Sequence, residues 1–262
     1  MKLPIFVILI LCIVRSLPAQ ETGATNCALN GTVVADGQAD EWPMNWMREP
    51  DKIFEYNVCA DDNNIYVRVR TEEYYVKRKM AAFGFTLWID PKGKKKRKLG
   101  LRFPVGGVEA TERAAELRQS ERNVQSASER ADFQKEVDRK LISDLEVLEL
   151  IGLTDDPITS TRSGITNGIK VAIGLDAQGS YVYEAIVPFK AYRLSRATIS
   201  DLTIGFETGK YIPPKVKTST KVESQRDFTG ATQMSRMQGY QSLVGNPKLS
   251  YPTDAWVTVK FK

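Results

Sequence analysis

The sequence predicts an all-β protein: an antiparallel two-sheet sandwich of jelly-roll type with one helical insertion. Three observations predict it. About nine short stretches alternate apolar and polar residues, and turn signals recur between them at roughly 8–12-residue spacing. Only one long stretch, 109–142, lacks both proline and glycine and has helical composition. A parallel α/β sheet needs a crossover between successive strands, and one helical segment cannot supply them.

The clearest element is a hairpin over 83–103. In its first arm Phe83, Phe85, Leu87 and Ile89 share one face, while Gly84, Thr86, Trp88 and Asp90 share the other. In its second arm Leu99, Leu101 and Phe103 alternate with Gly100 and Arg102. Asp90-Pro91-Lys92-Gly93 supplies turn chemistry, since proline sets φ and glycine permits positive φ. The tip is solvated, because residues 92–98 are all cationic except Gly93.

The remaining elements follow in order. Val33-Val34-Ala35 reads as a short strand, Asp36-Gly37 as a turn and Trp42 as an aromatic anchor. Phe54, Tyr56 and Val58 mark a strand that turns at Asp61-Asp62-Asn63-Asn64 into a partner bearing Ile65, Val67 and Val69. The segment 74–80 reads as a loop. Within 109–142 one stripe is Ala110, Ala114 and Leu117, and a second is Phe133, Val137, Leu141 and Leu145. The two stripes do not share a register, which predicts a bend near 125–130. Strands resume over 146–153, 169–175, 181–187, 202–207 and 255–261. Residues 212–250 show no period, and a loop of that length is functional or disordered as a rule.

The first twenty residues read as a signal peptide: Lys2, an apolar run over 3–14, and the small residue Ala19. The expected mature chain, 21–262, is one sandwich with a helical insertion at about 108–145 and no transmembrane segment. Its expected location is secreted or periplasmic. There Cys27 and Cys59 form a plausible disulfide, the alternative being two small buried apolar residues. Net charge is +5, from 37 Lys and Arg against 32 Asp and Glu, and it falls by two when Lys2 and Arg15 leave with the leader. That balance does not indicate a nucleic-acid partner. The chain has no histidine. This removes Ser-His-Asp triads, Cys-His pairs and most zinc sites, and with no recognisable nucleophile the chain reads as non-enzymatic.

Several stretches carry a family resemblance. Asp36-Gly37-x-x-Asp40-x-Trp42 resembles the opening of family 9 carbohydrate-binding modules and their relatives among DOMON-like sandwiches. Ile65-Tyr66-Val67, the strand ending in Ile89-Asp90, Tyr183-Glu184-Ala185-Ile186-Val187-Pro188-Phe189 and Ile204-Gly205-Phe206 follow in that family's order. The basic hairpin and the insertion look like a secreted bacterial subgroup. The resemblance implies non-catalytic binding of saccharide ends between two aromatic rings, with calcium as a structural ion. In this chain the first clamp segment carries Tyr74 and Tyr75 without tryptophan, and the second carries Tyr240 and Tyr251.

The candidate ligand-binding residues are therefore Tyr74, Tyr75, Trp88, Tyr240, Tyr251 and Trp256. Trp88 and Trp256 fall opposite the apolar faces of their strands, where each can stack on a sugar ring or be covered by the helical segment. Asp36, Asp40, Asp61 and Asp62 could serve calcium, or bond their own backbone as Asp-rich turns do. No other cofactor is expected. The expected partner is a saccharide; the alternative is an envelope protein, bound by a scaffold that kept the sandwich and lost the sugar site.

Overall fold

The computed structural model describes residues 29, 31–38, 40–42, 45–51, 53–107, 126–143, 145–164, 167–212 and 247–260. The leader, Cys27, the segment 108–125, Tyr240 with most of 212–250, and Phe261 lie outside the described residues.

Two antiparallel sheets face each other. The first has the order β1 (Met47–Arg48), β2 (Glu55–Ala60), β3 (Asn64–Thr71), β9 (Tyr181–Pro188), β8 (Lys170–Leu175). The second has the order β11 (Asp254–Lys260), β10 (Asp201–Thr208), β4 (Phe85–Asp90), β5 (Leu99–Arg102), β6 (Val147–Ile151), β7 (Ile158–Thr161). The β4–β5 hairpin pairs Leu87 with Leu101 and Ile89 with Leu99, so the expected faces meet in register. Val67, Phe85, Leu87, Ile89, Val171, Ile173, Val257 and Val259 are all buried, as their alternation requires. Aromatic pairs span the core from sheet to sheet. Phe54 meets Phe206 at 6.0 Å and Phe85 at 6.1 Å, and Phe85 meets Tyr183 edge-on at 4.9 Å. Each such side chain contributes about 1.5–3 kcal/mol on burial.

Three expectations change. Residues 74–80 are not a loop but part of helix α1, Tyr74–Phe83. Val76, Met80 and Ala81 turn into the core, while the intervening Lys77, Arg78 and Lys79 break the apolar pattern in the sequence. Those three cations are themselves buried. Arg78 donates to the Tyr74 hydroxyl at 3.0 Å, and Lys79 donates to the Tyr251 carbonyl at 3.2 Å and to the Thr253 hydroxyl. Gly84 ends the helix at φ 95, its N–H returning to the Met80 carbonyl. The second change is at Val33–Ala35, which belongs to neither sheet. The third is the strand count: β1 and β7 are short edge strands with weak alternation.

The described part of the helical insertion is α2, Ala127–Ser143. It packs along β8, on the five-stranded sheet. Val137 and Leu141 enter the core, with Phe133 and Leu145 against it, as the second apolar stripe predicts. No helix among the described residues is long and apolar enough to cross a membrane.

Candidate functional site

The outer face of the six-stranded sheet carries a row of alternating tryptophan and glycine. Register places Gly205 of β10 between Trp88 of β4 and Trp256 of β11, and Trp88 opposite Gly100 of β5. Glycine is needed at both positions because the neighbouring indole occupies the space a side chain would take. A Cβ on Gly205 would lie 2.8–2.9 Å from three atoms of the Trp256 benzene ring, and one on Gly100 would lie 2.8 Å from Trp88. Both rings thus lie face-down on the sheet. Their attachment points are two strand spacings apart, about 10 Å. Trp88 is buried and donates its indole N–H to Glu207 at 2.8 Å. Trp256 is the more open ring.

Polar groups rim the row. Arg97 sits 5.5 Å from the Trp256 centroid and pairs with Glu207 and, at 2.7 Å, with Asp254. The hydrogen bond with Glu207, together with the charges of both carboxylates, raises the Arg97 pKa despite partial burial. The Thr203 and Thr258 hydroxyls meet at 3.1 Å on the same face. Trp88 and Trp256 lie opposite the apolar faces of their strands, as the alternation predicts, strand order brings them together, and the described part of the helical insertion packs on the other sheet. Glu207, Asp254, Arg97 and the two glycines were not singled out from sequence. The available signal was a lone glycine in mid-strand, which marks a close approach.

Arg97 reaches this face from the basic loop 91–98. One carboxylate shapes that loop: buried Asp90 accepts the backbone N–H groups of Lys92, Lys94 and Lys96 at 3.0, 2.7 and 3.0 Å. Burial raises the Asp90 pKa, but these three donors outweigh it and hold the carboxyl below its ordinary value. The loop passes through positive φ at Gly93 and Lys95. Lys92, Lys94, Lys95, Lys96 and Lys98 are exposed, and none forms an ion pair.

Tyr74, Tyr75 and Tyr251 lie at the end of the sandwich formed by α1 and the helical turn Pro247–Ser250, and Tyr240 lies outside the described residues. Tyr74 and Tyr75 pack edge to face at 5.3 Å. Tyr75 packs against buried Tyr211 and Leu249, and the Lys248 ammonium lies 4.9 Å from its ring. Tyr251 is 70% exposed.

The opposite outer face, on the five-stranded sheet, explains the Asp36-Gly37 motif. Glu184 is fully buried, and its carboxylate accepts the Trp42 indole N–H at 2.8 Å, the Gly37 N–H at 2.8 Å and the Asp36 N–H at 3.2 Å. Burial raises its pKa, which the three donors partly offset. Gly37, at φ 84, presses backbone to backbone on Gly174 of β8. Arg68 lies over Trp46 at 3.8 Å and Trp42 at 5.3 Å, and burial brings its pKa down to about 10. Trp42 is thus an anchor, as expected. The Asp-rich turns bond their own backbone: Asp36 accepts from the Gln38 N–H, and Asp61 from the Asn63 and Asn64 N–H groups. Among the described residues no group of three acidic or sulfur ligands gathers for a metal.

No protein-family model matches the chain, and no curated protein matches it. Solved structures do. A family 9 carbohydrate-binding module from Caldicellulosiruptor kristjanssonii in complex with glucose aligns over 91% of this chain and 94% of its own, at 12% identity and a TM-score of 0.35. The module in complex with cellotriose aligns over 91% and 93%, at 12% identity and a TM-score of 0.34. A candidate carbohydrate-binding protein from Bacteroides uniformis aligns over 91% and 98%, at 9% identity and a TM-score of 0.37. Likeness at this level carries no argument about the site, which rests on this chain's own residues.

Proposed function

We propose that the chain is an exported, non-catalytic carbohydrate-binding sandwich that holds a saccharide against Trp256. The supporting observation is the Trp256–Gly205–Trp88–Gly100 row. An indole lying flat on a sheet offers its outer face to the CH groups of a pyranose, and of the two rings in the row Trp256 is the one open to it. Glu207, Asp254, Arg97 and Thr258 supply the few polar groups that fix a ligand's orientation on such a surface.

A glycan array tests this with the mature protein, Trp256→Ala and Tyr251→Ala. Loss of Trp256 is expected to weaken binding by about tenfold or more, the stacking free energy of one aromatic contact with its buried area. Tyr251→Ala is expected to bind as the parent does. The reverse result would move the site to the tyrosine end, between Tyr251 and Tyr75. Binding to no saccharide would favour the envelope scaffold instead.

Export and a Cys27–Cys59 disulfide belong to the same reading. Cys59 is buried in a cluster with Val33, Trp42 and Ile186, and Leu29 packs against that cluster. Thiol titration of the denatured, unreduced mature protein is expected to find no reactive sulfur; two reactive thiols per chain would overturn the bridge.

A further inference from the structure

We infer that the saccharide held at Trp256 is an acidic one, whose carboxylate or sulfate groups are read by the lysines of the 91–98 loop. This rests on Trp256 being the sugar platform, and it adds the chemical class of the ligand.

The argument begins with the loop's shape. An unstructured basic tip would spread its charges apart in water. Here Asp90 ties down three alternate N–H groups, so Lys92, Lys94, Lys95, Lys96 and Lys98 project from a fixed backbone. Like charges so confined repel one another, and among the described residues none of the five forms an ion pair, although the Lys96 charge acts on Asp90. Three of the four nearby acids are engaged already. Asp90 is enclosed by N–H donors, and Glu207 and Asp254 are neutralised by Arg97. Asp201, near Gly93, remains exposed without a cation.

The loop also touches the platform. Arg97 belongs to it and lies beside the Trp256 ring, and Lys96 and Lys98 are one residue away on either side, about 3.8 Å along the chain. A polymer stacked on Trp256 therefore runs beside unneutralised ammonium groups. An acidic polysaccharide fits both halves: its ring faces suit the indole and its anions suit the lysines. A lipid surface would use the lysines and leave the threonine-lined indole row without a role. The loop offers a membrane no apolar side chain between Lys92 and Lys98.

Affinity electrophoresis of the full mature chain tests this. The acidic probes are polygalacturonate and heparin; the neutral probes are galactan and hydroxyethyl cellulose; vesicles containing phosphatidylserine form a third arm. Retardation by an acidic polymer is expected. It should weaken about tenfold in Lys94→Gln/Lys95→Gln/Lys96→Gln and about tenfold in Trp256→Ala. It should also fade from about 0.1 M to about 1 M salt, as the Debye length shrinks from about 10 Å to about 3 Å. Unchanged circular dichroism and thermal midpoint confirm that the loop variant is folded, and Trp256→Phe serves if Trp256→Ala is not. Retardation by neutral polymers alone overturns the inference and leaves saccharide binding standing. Acidic binding indifferent to Trp256, or vesicle binding of equal strength, also overturns it, as contact through charge alone. No retardation by any polymer overturns both readings.

Discussion

Glu184→Ala is expected to lower the stability of the fold by about 3–5 kcal/mol, the range for removing one member of a buried charged network. Three donors, from Trp42, Gly37 and Asp36, lose their acceptor at once, and buried Arg68 loses the nearest charge acting in its favour. The segment 31–42 would then come away from β8 and β9, visible as loss of amide protection there before global unfolding. Glu184→Gln separates charge from shape and carries a pH signature. The folded pKa of Glu184 is raised, with burial as the leading cause. The stability it contributes is therefore complete below the unfolded value, near 4.3–4.5, and is lost as pH rises through the folded value. Glutamine does not titrate. The stability gap between parent and Glu184→Gln should thus narrow as pH rises from about 4 to about 7; denaturant titrations across that range check it, and a widening gap would refute the assignment.

Asp138→Ala is expected to have an effect of similar size, about 3–5 kcal/mol. Asp138 is 2% exposed, pairs with the Lys77 ammonium at 2.7 Å and accepts from Tyr181 and Gln134. Lys77 also donates to the Gly179 carbonyl at 2.8 Å, so one ion pair ties α1, α2 and the β8–β9 turn together. Removing the carboxylate leaves a buried ammonium with one carbonyl and the face of the Tyr181 ring. A double variant, Lys77→Met/Asp138→Leu, removes both charges and should recover most of the loss, since a buried pair adds little over apolar packing. Thermal unfolding of the two variants beside the parent measures this. Failure of the double variant to recover would show that the pair does more than neutralise itself.

The strands legible in the sequence were those with one buried and one polar face. β4, β5 and β11 alternate in residue type, although all six residues of β4 are buried, Trp88 among them. The strand expected over 181–187 is β9, but both of its faces are buried, one of them against Val33, Trp42 and Cys59. Glu184, a charged residue in mid-strand, is fully enclosed. α1 was missed for a related reason. Lys77, Arg78 and Lys79 interrupt its apolar stripe, and the partners of Lys77 and Lys79 lie 61 to 174 positions away. The site was half legible: alternation placed Trp88 and Trp256 outward, but only strand order sets them on either side of Gly205. Arg97, one of six cations in a run, carried no local sign that it alone would fold back onto carboxylates more than 100 residues distant.

Asp90 has a consequence for how this loop can vary. It grips main-chain N–H groups at 92, 94 and 96 and makes no demand on the side chains there. Any residue except proline, which has no N–H to offer, keeps the grip. Shape and charge are thus written in separate places: one aspartate keeps the contour, and the letters at 92, 94 and 96 are free to be rewritten. A relative could carry acidic, amide or aromatic side chains on the same contour beside the same indole, and so exchange one class of ligand for another without refolding anything.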